Sequence, residues 1–123
     1  MLNRKICATM ASMAILLLLA ACGPETIYVR PNLDTPERHV ANGQVLLDQQ
    51  KTKHALREFQ RANELDPQNV AALVGIAIVM GHDKKFNQGM EALEKAQALS
   101  TTAEDKALVR DGQARLEELR TKQ

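Results

Sequence analysis

Tryptophan is absent from this 123-residue chain, and aromatic residues amount to one Tyr and two Phe. A chain so poor in aromatics has no platform on which single-stranded bases would stack, and its core has to be aliphatic. An excess of charge of one sign is missing as well. The 16 Lys and Arg nearly balance 15 Asp and Glu, and once residues 1–21, with Arg4 and Lys5, are set aside, 14 face 15 for a net charge of −1. That leaves no positive footprint for a phosphate backbone, so nucleic acid is not an expected partner. β-Branched residues are sparse after Val29 and no segment alternates in the strand period, while Ala, Leu and interleaved charges favour helix throughout. An all-α domain is expected.

The arrangements that carry catalysis or hold metals are lacking too. His39, His54 and His82 show no HxxxH or HExxH spacing, so no zinc or other metal site is expected. There is no glycine-rich phosphate loop, no Gly-x-Ser-x-Gly elbow and no acidic pair in an apolar setting. Asp83, beside His82, reads as a helix cap rather than a general base. The chain is read as a non-enzyme with no catalytic residues and no cofactor.

What is present begins with MLNRKICATMASMAILLLLAAC. Basic Arg4 and Lys5 precede an apolar run from Ile6 to Ala21 that is shorter than the roughly 20 residues of a spanning helix and ends in small residues. Residues 1–21 therefore read as a secretory signal. The closing Leu19-Ala20-Ala21-Cys22 resembles the lipobox of bacterial lipoproteins. That resemblance implies cleavage before Cys22, a diacylglyceryl group on its thiol, and a place in the bacterial cell envelope. In the same resemblance Gly23 is permissive for the outer membrane, facing the periplasm. An ordinary signal peptide, or an uncleaved anchor, is the alternative. Loss of the signal would remove Cys7 and leave Cys22 alone, so no disulfide would staple the mature fold. Two or three acyl chains would give firm anchoring where one gives marginal binding.

Residues 22–36 read as the lipidated N-terminus and an extended tether. Pro24, Pro31 and Pro36 interrupt any helix. Ile27, Tyr28 and Val29 form an apolar trio within it, expected to dock on the domain or to meet a partner.

Beyond the tether the sequence repeats. Ala55, Phe59, Ala62 and Leu65 return 34 residues later as Gly89, Leu93, Ala96 and Leu99, and Gly43 and Leu46 return as Ala77 and Met80. Together with Pro67, the phrase ALREFQRANELDPQN resembles the second half of a tetratricopeptide unit. The resemblance implies stacked antiparallel helical hairpins forming a short solenoid of about five helices. Two units would fill residues 37–103, with helices near 37–50, 53–65, 69–81 and 85–99. A capping helix, residues 104–123, would close the stack, announced by Thr101-Thr102-Ala103-Glu104 as a capping box. His39 stands where the family often has Trp, Gly89 replaces Ala, and Thr101 replaces the closing Pro.

The same resemblance places a partner-binding groove on the first helices of the units. It would be lined by Val40, Gln44, Leu47, Ala71, Val74, Ile78 and His82, with Leu108 of the capping helix extending an apolar strip. An amphipathic helix or extended peptide of an envelope protein would lie there. The expected function is that of a lipid-anchored adaptor or assembly factor. Its alternative is a structural subunit whose apolar surface is permanently buried in a homo- or hetero-oligomer.

Overall fold

Side-chain capping marks where three of these helices begin. Thr35 accepts the Arg38 N–H at 3.4 Å, and Pro36 takes the first helical position, where a missing N–H costs nothing. The side chain of Asn69 accepts the Ala72 N–H at 2.9 Å and starts a later helix in the same way. The computed structural model describes residues 33–122, which form five helices and no strand. They are α1 (Pro36–Asp48), α2 (Thr52–Leu65), α3 (Val70–His82), α4 (Phe86–Leu99) and α5 (Ala103–Thr121). The expected signal, Cys22 and the expected tether as far as residue 32 lie outside the described residues, and Pro36, expected to end the tether, is instead the first residue of α1.

Both α3 and α4 begin and end 34 residues after α1 and α2, so the helical hairpin itself repeats. The turns inside the two hairpins are built alike. Gln50 and Lys84 adopt left-handed backbone, φ 59° and 61°, with N–H groups on Leu47 and Gly81. The next residues, Lys51 and Lys85, donate to Leu46 and Met80. This is the paired bonding that satisfies the last carbonyls of a helix. It also corrects an expected boundary, because α1 stops at Asp48 rather than running to residue 50. Asp83 is a cap, at the C-terminal end of α3, where its backbone N–H bonds back to Gly81 and Val79. The expected capping box is displaced by one residue: Thr102 accepts the Asp105 N–H at 3.0 Å, and Asp105 accepts the Thr102 N–H at 3.2 Å. Those bonds from Thr102 hold the Asp105 carboxyl below its usual range.

The hairpins stack around α3, which packs against every other helix. Nine of its 13 residues are buried, all apolar or glycine, as a helix surrounded by others requires. The tightest packing surrounds Phe59, 1% exposed, on α2. A Cβ on Gly43 of α1 would sit 2.7 Å from its ring, and one on Gly75 of α3 would sit 2.5 Å away. The ring is thus clasped between the first hairpin and the next. Across the stack, Leu116 of α5 fills the space beside Gly81 and Gly89.

Gly75→Ala should lower stability by about 1–3 kcal/mol, because a buried ring has nowhere to move. Combined with Phe59→Leu, the loss in urea unfolding should be smaller than the sum of the single losses. Additive losses would show that Gly75 does not set the room for the ring.

Candidate functional site

The two sides of the stack offer different chemistry. Contacts of α3 with α1 and α5 join these three helices along one face, while α2 and α4 flank the other. On the α1–α3–α5 face lies a cleft of about 250 Å³. Its walls and floor include six of the residues expected in a groove: Val40, Gln44, Ala71, Val74, Ile78 and Leu108.

Burial divides these six into floor and rim. Val74 and Ile78 are 3% and 6% exposed, and a Cβ on Gly112 of α5 would come within 2.7 Å of Val74 Cγ1. The capping helix therefore rests on Val74 and takes most of the apolar strip into the core. Val40 and Ala71 are half-buried, Gln44 is exposed, and Leu108 is 37% exposed. Gln44 donates to Asp48 Oδ1 at 3.0 Å, which holds its amide along α1 at the cleft mouth. The chemistry on offer is an apolar slot for one or two aliphatic side chains, edged by a polar amide.

Leu47 and His82 do not line this cleft. Leu47 is 3% exposed and belongs to the core, so its expected role in an open apolar strip is corrected to packing. His82 ends α3 and is exposed at the hairpin turn, away from the slot. The sequence reading missed six lining residues: Ala41, Phe59 and Gly75 on α1, α2 and α3, and three on α5. Asp111, Gly112 and Arg115 line the cleft three, four and seven positions after Leu108. That spacing is a helical stripe, and it was readable once Leu108 was assigned to the groove face.

A larger cleft, of about 570 Å³, opens on the α2–α4 face. Leu73, Ile76 and Met80 of α3 form its floor, with Asn63 and Pro67 at one wall and Ala92 and Leu99 at the other. No residue expected in the groove falls in it. Its sequence signal is the second apolar stripe of α3, at spacings of three and four, on the opposite side from Val74 and Ile78. Among the described residues no group of three or more His, Cys, Asp or Glu side chains could hold a metal ion. No helix among them is long and apolar enough to cross a membrane.

Compared with family models, with curated proteins and with solved structures, the chain matches none. The site is accordingly read from its own geometry.

Floor and rim should separate in unfolding experiments. Val74→Gln buries an amide without partners and should cost on the order of 2–3 kcal/mol. Leu108→Ser, at a half-open position, should cost under about 0.5 kcal/mol. Equal losses would mean that Leu108 is packed as tightly as Val74.

Proposed function

We propose that this chain is a non-catalytic adaptor of the bacterial cell envelope, a lipoprotein of tetratricopeptide type anchored through Cys22 and binding a partner peptide at the α1–α3–α5 cleft. The observation that carries the reading is the convergence of Val40, Gln44, Ala71 and Leu108 from three helices on one apolar slot. The exact 34-residue offset between the hairpins supports the tetratricopeptide resemblance. A partner helix or extended segment would insert an aliphatic side chain over Val74 and Ile78 and meet Gln44 at the mouth. Because the floor is core, the partner's contacts fall on the rim.

A second reading, a structural subunit in a permanent complex, is favoured by the larger cleft on the α2–α4 face. Exposed large apolar residues weigh against one continuous buried interface. They are Leu33, Val45, Met90 and Leu108, spread over the segment before α1 and over α1, α4 and α5.

A photo-crosslinking residue at position 108 should give one discrete adduct in intact membranes, and one at Glu91, which lines the α2–α4 cleft, should not. Adding Gln44→Arg, with an unchanged thermal midpoint, should remove the adduct. Adducts from Glu91 alone would refute the cleft reading and move the interface to the other face. The anchor is tested separately. Cys22→Ser should release the protein from the membrane fraction and abolish the mass of the acyl chains, whereas unchanged fractionation and mass would refute the lipoprotein assignment.

A further inference from the structure

A cluster away from both clefts holds the start of the helical domain. Asp34, one residue before the cap of α1, faces His39 on α1 and Arg61 on α2. His39 Nε2 lies 2.8 Å from Asp34 Oδ1, and His39 Nδ1 lies 2.8 Å from Glu58 Oε2. Arg61 adds a fork on Asp34, its Nε donating to Oδ1 at 3.2 Å and its Nη2 to Oδ2. Glu58 has one further donor, the Asn42 amide at 3.4 Å.

The chemistry of the imidazole fixes its charge in this arrangement. Ionised carboxylates only accept hydrogen bonds, so both ring nitrogens must donate, and only the imidazolium has two N–H groups. We infer that His39 is a proton-dependent clamp that fixes the direction in which residues 33–35 leave the helical domain, closed when the ring is charged and loosened when it is neutral. A neutral ring keeps one N–H. Asp34 already has two bonds from Arg61, whereas Glu58 has a single long one, so the remaining proton stays with Glu58 and the bond to Asp34 is the one lost. Arg61 then holds Asp34 alone, as an ion pair whose side chains are 44% and 30% exposed and therefore screened by salt.

The charges around the ring agree with this. Partial burial opposes the charged ring, but the bonds to Asp34 and Glu58 outweigh it, and the His39 pKa is raised above 6.5. Arg61 first and His39 second lower Asp34 from 3.8 to about 2. A raised histidine pKa stabilises the folded clamp fully below 6.5, and that stability is lost as pH rises through the raised value. A lowered aspartate pKa stabilises it above 3.8, with loss as pH falls towards about 2. The clamp is therefore strongest between about pH 4 and pH 6.5. The groups facing His39 are Asp34 from the segment before α1 and Glu58 from α2, with Asn42 and Arg61 holding the two carboxylates.

The test is nuclear magnetic resonance on the full chain with Cys22→Ser. Amide order at Leu33 and Asp34 should fall between pH 5.5 and pH 8.5 in the parent, and stay at its low value at both pH values in His39→Gln. The His39 ring should titrate above the ordinary histidine value, and Asp34→Asn and Glu58→Gln should each bring it down. Circular dichroism at both pH values controls for unfolding of the Gln variant; should it unfold, the Asp34→Asn titration and parent order measurements stand alone. A parent whose amides keep the same order at both pH values would overturn the clamp, as would a His39 titration unmoved by Asp34→Asn.

Discussion

The Phe59 ring, clasped between Gly43 and Gly75, is the contact on which the stack depends. Of the two Phe side chains, Phe59 is the fully buried one and Phe86 is partly buried, and Phe59 is placed where three helices meet. Glycine on either side lets α1 and α3 approach the ring to a distance no Cβ would tolerate. Close packing of this kind makes the interior respond to a single methyl group. The 34-residue period in the sequence carries part of that requirement: Gly43 and Phe59 return as Ala77 and Leu93, while Gly75 returns as Val109.

The same requirement explains why the capping helix does more than close the stack. α3 is apolar nearly all round, and α5 covers part of the side that a groove would otherwise expose, while the stripe of Leu73, Ile76 and Met80 faces the open cleft on the other side. Gly112 lets α5 settle on Val74, and Leu116 occupies the space beside Gly81 and Gly89. A short stack thereby replaces a third hairpin with one helix, at the expense of groove depth. What remains is a slot of about 250 Å³, bounded on one side by the helix that narrowed it.

The helices and their order were legible in the sequence because periodicity and repeat offset are properties of the chain itself. Turn geometry was less so. Gln50 and Lys84 take left-handed backbone without being glycine or asparagine, so nothing in their identity marked the end of α1, and the hydrogen bonds to Leu46 and Met80 decide it. That Val40, Gln44, Ala71, Val74, Ile78 and Leu108 share one face was legible, since they line one cleft. Which of them stay open was not, because exposure of Val74 depends on the approach of Gly112 from a distant helix. The larger cleft went unseen for a related reason: in a helix apolar on all sides, periodicity cannot say which stripe remains unpartnered.

His39 shows how a departure from a familiar pattern acquires a physical role. In a packed interior an imidazole between two carboxylates would be costly to desolvate, but at the open edge of the first hairpin it needs only partial burial. Its two donors reach backwards to Asp34 and across to Glu58, so one side chain ties the preceding chain to both helices of the hairpin. On the proposed anchoring at Cys22, the dozen residues up to Asp34 span at most about 40 Å. Length then limits how far the cleft stands from the bilayer, and the clamp determines the angle at which the tether meets the domain. On that proposed anchoring, distance and orientation are separate constraints carried by separate residues.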